Sequence, residues 1–368
     1  MSLLDNKRLY DLAVRKQIYI EGVKAEYSKE FETSAKELSA FLVATLSRIK
    51  YKTLDGLTKA ELNKLLVTVR VSQSRIYSDY TQKIVDMLYA FMQADLSVTR
   101  RIAASAHKQG FESVGTTIVL LSDTASIKYI EEVKKENSFI ALFGIAAITN
   151  NDKRLWSTVV NTVIPANGNY PLTFINGFNV TAQATVENII RKAWANKQSV
   201  ADTIDELTKV YAKQGASSTL TKVVNQAEAV TATVMQHIDS LVTAGVNSKL
   251  FGEYQWHSVL DGRTTDICRY RNGKRYRYGA GPLPPAHVRC RSHTSPIVGN
   301  DDIVPEGFYG WIVRQPTVIQ NDVLGGTNAD RLRSGKIKPA DIAKFENLKA
   351  ITLGEFKGKI ESIFSTKQ

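Results

Sequence analysis

The chain has 368 residues, 43% of them hydrophobic, and carries 48 Lys and Arg against 36 Asp and Glu, a formal net charge of +12. That apolar fraction supports large cores and excludes a disordered polyelectrolyte, and two cysteines in such a length exclude a disulfide framework. The longest apolar run, Phe139 to Ile148, is shorter than the roughly 18 residues of a membrane span, so it reads as a buried helix and no stable span is expected.

Met1 to Asp11 reads as a polar helix start rather than a secretory leader, which predicts synthesis in the cytoplasm with both cysteines reduced. From Ile20 the residues Val23, Tyr27, Phe31, Leu38, Leu42, Leu46 and Ile49 recur at helical steps and predict a long amphipathic helix. Asp55-Gly56 breaks it, and Thr58 with Glu61 forms a capping box opening a second long helix. Leu62, Leu65, Val69, Ile76, Ile84, Leu88 and Phe91 carry the second stripe, so residues 1–150 read as an elongated helical hairpin or bundle. The Pro, Gly and Asn residues between Val163 and Asn179 predict an irregular linker or small β element within 151–180. Thr181 to Lys213 and Thr219 to Gly245 return to helical spacing, with Gly245 as the expected C-cap. Glu253 to Leu260 alternates and reads as a strand, and residues 301–368 read as a turn-rich and helical tail with a helix near Thr317 to Leu324. The fold class predicted is mainly α with a small α+β module toward the C-terminus.

Chemistry concentrates between Val259 and His293, which holds both cysteines, two of the five histidines and a run of arginines. Residues 261–299 carry 8 basic and 2 acidic residues, a local excess that suits a polyanionic partner and equally suits a solvated face. Thiolate and imidazole are what zinc prefers, and Cys268, His287 and Cys290 provide three ligands. The fourth is not dictated by spacing; Asp261, His257 and His293 are the candidates. Other readings stay open: a cysteine nucleophile beside His287, a disulfide, or a buried cysteine beside a hydrogen-bonded loop histidine. Basic and aromatic residues interleave through Arg269, Tyr270, Arg271, Lys274, Arg275 and Arg277, joined by Arg263, Arg289 and Arg291. Such a set can neutralise backbone phosphates and stack on bases, and can also form cross-strand Arg/Tyr pairs on a surface sheet.

The block Trp256 to Lys274, "WHSVLDGRTTDICRYRNGK", followed by "PPAHVRCR" from Pro284 to Arg291, resembles the signature of the phage Mu F-protein-like head morphogenesis proteins, also called minor head or minor capsid proteins. The resemblance extends to "WIVRQP" at Trp311, "QNDVLG" at Gln320 and "RLRSGK" at Arg331, so it covers the C-terminal third. It implies a module over 181–300 in which Trp256, Asp261, Thr264, Gly273, Pro284 and Pro285 are structural signature residues, with Trp311, Gln315, Pro316, Gly325 and Gly335 beyond it. Family members often carry further cysteines at the positions of Thr265 and Ser292, which this chain lacks. Of the helix start before the signature only Glu228 carries over.

The function implied is that of a low-copy virion component, made in the host bacterial cytoplasm and incorporated near the portal. Its partners would be the portal and capsid proteins and, non-specifically, packaged double-stranded DNA, with homo-oligomers an option. No residue is assigned a catalytic role, because the chain shows no Gly-rich phosphate loop, no His-Glu-x-x-His and no acidic cluster for two metals. The alternatives are a metal-dependent hydrolase, nuclease or toxin-like enzyme built on Cys268, His287 and Cys290, and an ejected internal virion protein.

Overall fold

A computed structural model describes residues 6–106, 152–209, 218–248, 250–261, 263–298, 307–337 and 350–365. The apolar run Phe139 to Ile148 and the start of the Lys-rich tail at Pro339 lie outside them. The protein is mainly helical with one small antiparallel sheet. Helix α1 is Asn6–Leu46 and α2 is Lys59–Ala106. They are followed by α3 Asp152–Val160, α4 Pro171–Ala195, α5 Val200–Thr208 and α6 Thr219–Asn247. Strand β1 Glu253–His257 precedes α7 Asp266–Arg271, β2 Arg275–Arg277 and β3 His293–Pro296. The chain continues through α8 Gly307–Val313, α9 Thr317–Leu324, α10 Gly326–Arg333 and α11 Leu353–Ser365.

Both long stripes face cores. All their residues are buried except Ile49 and Leu65, which are half-buried. The capping box is formed, with the Thr58 N–H donating to Glu61 Oε2 at 2.8 Å and the Glu61 N–H to Thr58 Oγ1 at 3.2 Å. Gly56 is required there, since a Cβ would meet the Tyr51 ring at 2.5 Å.

Three expectations change. The linker is confined to 161–170, because Pro171 starts α4: proline at a first helical position has its φ already set and loses no intrahelical bond. Helix α6 passes through Gly245 to Asn247, so Gly245 is not its cap, and the stretch after Thr181 is two helices broken at 196–199. Strand β1 ends at His257, short of Leu260, whose φ of 57° takes the chain out of extended geometry.

The chain folds into two compact units built from interleaved segments rather than from consecutive domains. One comprises 27–88 and 171–232. Its core is an aromatic cluster in which Phe31 meets Tyr80 at 4.8 Å and Phe178 at 5.3 Å between ring centroids. Arg70 grips Glu187 through two hydrogen bonds of 2.7 and 2.6 Å, and Trp194 Nε1 donates to the Leu57 carbonyl.

The other unit comprises 1–26, 89–170 and 233–368 and contains the sheet, in the order β2-β1-β3. Its helical core encloses a polar knot. Lys16 of α1 bonds Asp95 of α2 at 2.8 Å, Asp239 of α6 at 2.7 Å, and the hydroxyls of Thr99 and Thr243. Burial alone would lower the Lys16 pKa, but Asp239 and Asp95 outweigh it and hold the ammonium charged; burial pushes Asp95 up to about 7. The tail is tied to α1 in the same unit: Asp11 accepts from Trp311 Nε1 at 2.8 Å, and Arg15 Nη2 donates to Gln315 at 2.8 Å.

Candidate metal centre and basic module

The signature segment folds around Trp256, Cys268 and Cys290, which form one buried cluster. Trp256 sits on the central strand, Cys268 on the single turn of α7, and Cys290 in the loop before β3. Ser258, just past β1, joins them. Its hydroxyl accepts from Trp256 Nε1 at 3.1 Å, donates to the Cys268 carbonyl at 2.8 Å and lies 3.1 Å from the Ser292 hydroxyl. The Asn272 side chain accepts from the Ser258 N–H. Gly273 makes the return into β2 at φ 80°, where its N–H reaches the Trp256 carbonyl. Pro284 and Pro285, joined by a cis peptide bond, are buried, and the chain then turns through His287 to Cys290.

The ligand atoms of Cys268, His287 and Cys290 all lie within 4.8 Å of one another, so this group could hold a metal ion. The two Sγ atoms are 3.8 Å apart. Two thiolates on a tetrahedral zinc, at Zn–S of about 2.3 Å, are separated by about 3.8 Å. His287 Nδ1 donates to the Val288 carbonyl at 2.8 Å, which holds a proton on that nitrogen and leaves Nε2 for Cys290 or a metal. The thiols are unequal. The Cys268 thiol donates to Cys290 and is pushed up by that bond and by burial. Cys290 is held well below the usual thiol range by the Cys268 hydrogen bond, then by His287 and the N–H groups of Ser292 and Ala286. His287 is correspondingly raised by its contact with Cys290.

Asp261, the expected fourth ligand, is committed elsewhere. Arg291 binds its carboxylate in a fork, at 2.7 Å to Oδ1 and 2.6 Å to Oδ2. The Arg263 N–H and the Thr264 hydroxyl donate to Oδ1, closing the turn before α7. Burial favours the neutral acid, but Arg291 and Arg263 outweigh it and hold the carboxyl below its ordinary range. His257 and His293, the other fourth-ligand candidates, form a cross-strand pair between β1 and β3, with ring centroids 5.5 Å apart. His257 Nε2 bonds Ser295 Oγ at 2.6 Å, so it serves the sheet core. Thr265 precedes α7 as its N-cap, and the Ser292 hydroxyl lies 3.1 Å from that of Ser258.

The basic residues divide by role. Arg291 is spent on Asp261, Arg269 donates to the Thr264 and Asp261 carbonyls, and Arg271 lies 5.1 Å over the Trp256 ring. Tyr276 packs on the cysteine cluster and Tyr278 against Tyr254, so the alternation of β2 turns these rings inward, as cross-strand pairing requires, and not toward a base. Arg275 and Arg277 alternate with Tyr276 on the edge strand, and the Arg277 side chain is 81% exposed. Arg263 and Arg289 are exposed, and Lys274 Nζ sits 2.9 Å above the exposed ring of Tyr270.

Ser258 and Asn272 were not distinguishable in the sequence, because a serine and an asparagine beside a strand carry no pattern that marks a hub. Comparisons with protein-family models, curated proteins and solved structures find no match to this chain.

Proposed function

We propose that the protein is a phage minor head protein, a low-copy structural component of the virion near the portal, whose C-terminal module contacts packaged DNA. One observation carries the reading: within one unit the side chains of the signature blocks are spent on bonds inside the protein, and the Asp261–Arg291 fork joins the first block to the second. Trp256, Ser258 and Cys268 form one knot, Asp261 and Arg291 a second, and Asp11, Trp311 and Gln315 a third. Their signature side chains are spent on one another, as in a scaffold. Gly325 and Gly335, at φ 74° and 68°, end the short helices α9 and α10, where Pro316 starts α9.

The metal that suits the Cys268, His287 and Cys290 group is zinc, as a structural staple between α7 and the loop before β3. Zinc bound there would contribute folding stability, and the Val288 carbonyl fixes the orientation of the His287 ring for it. The staple is favoured over a hydrolytic centre because Cys268 and Cys290 are only 2% and 1% exposed. The proposed DNA-facing groups are Arg277 on the β2 edge and Tyr270 on α7, both exposed, with the half-buried Lys274 in the turn between those elements.

The test is disruption of the gene in its phage or prophage, with complementation. The expected result is normal lysis with heads that are defective in DNA content or infectivity, restored by the intact gene. Fully infectious particles from the disrupted strain would overturn the reading.

A further inference from the structure

Cys268 and Cys290 are the chain's only cysteines, 22 residues apart in sequence and 3.8 Å apart at sulfur. Their sulfurs face each other within one buried cluster, so oxidation of either one places it within reach of its neighbour. A disulfide needs the sulfurs at about 2.05 Å, so each side chain closes by less than about 1 Å, and no other thiol in the chain competes. Both cysteines are buried, so a bulky disulfide reagent is shut out, and His287 beside them is half-buried.

We infer that this pair is an exchangeable cross-link, a metal dithiolate in reducing surroundings and a disulfide in oxidising ones, with hydroperoxides as the oxidant class. The inference rests on the zinc reading of the same three residues. The Cys290 thiolate attacks the O–O bond and becomes a sulfenic acid, releasing after proton uptake one water from hydrogen peroxide or one alcohol from an organic hydroperoxide. Cys268 then attacks that sulfur, the S–S bond forms, and the second oxygen leaves as water. Two electrons pass from the two thiolates to one peroxide. Uncharged disulfide sulfur is a poor zinc ligand, so His287 is left alone and the ion departs. Either linkage ties α7 to the loop before β3, so the module stays stapled when a particle assembled in a reducing cell reaches an oxidising medium.

The experiment uses the full chain purified with zinc and a non-thiol reductant, which is then removed. Equimolar hydrogen peroxide is added while zinc release is followed with a chromogenic indicator, and alkylatable thiols and intact mass are measured. The expected result is about one zinc released per chain, loss of both thiols, and a mass two hydrogens lighter, all reversed by dithiothreitol and zinc. A reduced protein that holds no zinc would sink the zinc reading alone, because the mass and thiol count still judge the disulfide. Oxidation only to sulfinic acid, no disulfide without denaturant, or a disulfide formed with zinc retained would each overturn the exchange. Cys268→Ser should give a Cys290 sulfenic acid, trapped with dimedone, and no disulfide; if that variant does not fold, the wild-type readouts decide alone.

Discussion

At the scale of single residues, the strongest constraint in the signature module is the fork between Arg291 and Asp261, whose side chains are 20% and 3% exposed. Replacing Asp261 by Asn leaves a largely buried guanidinium without its countercharge and should cost about 3 kcal/mol, read as a fall in the urea midpoint at unchanged slope. A loss under about 1 kcal/mol would make the pair an ordinary surface contact. The buried histidines set the acid limit. Burial lowers His237 and His293 from 6.5 to about 4 and holds His257 well below its ordinary value. The unfolded chain therefore binds more protons than the folded one between about pH 4 and 6.5, and stability falls as pH drops through that window, by about 3 kcal/mol for each of the first two. Asp95, raised to about 7, acts in the opposite sense and offsets one of the three. Urea midpoints should rise from pH 4.5 to 6.5; a flat profile would mean that these rings are solvated.

Among the elements, the knot at Lys16 joins α1, α2 and α6 of one unit. Lys16→Met should leave Asp95 and Asp239 facing each other unpaired and cost about 3–5 kcal/mol at pH 7.5. At pH 5.5 the deficit should shrink, since one carboxyl can then take a proton, and a deficit that is the same at both values would mean the pair shares a proton already. The β2 edge makes a separate prediction. Lys274→Ala and Arg277→Ala should each lower the slope of log affinity for double-stranded DNA against log salt by about 1, with no change in sequence preference. Unchanged slopes would assign these side chains to the surface of the sheet. Local features of these elements were legible in the sequence: the two stripes, the Thr58 and Glu61 box, and the strand at Glu253. The knot was not, because Lys16 meets Thr99 and Thr243 across 83 and 227 residues, and a lysine on a helix carries no sign of the carboxylates it will face. Pro171 misled in the other direction, since proline punctuates a linker and a helix start alike.

For the whole molecule, the sequence order of segments is not the order of folding units. Each of α1, α2 and α6 supplies residues to both units, which the helical periodicity of those stretches does not reveal. The candidate site was legible as residue types, Cys268, His287 and Cys290, yet its exclusion of Asp261 depends on Arg291 folding back across 30 residues. An account in which the signature residues build a scaffold rather than a catalytic pocket predicts where the protein ends up. The most direct measurement is quantitative mass spectrometry of density-purified particles from an induced lysate of the strain that carries this gene, calibrated against any portal protein in the same particles. The account predicts the chain inside DNA-filled particles at a few copies each. Its absence from particles, with the whole pool left soluble in the lysate, would contradict it.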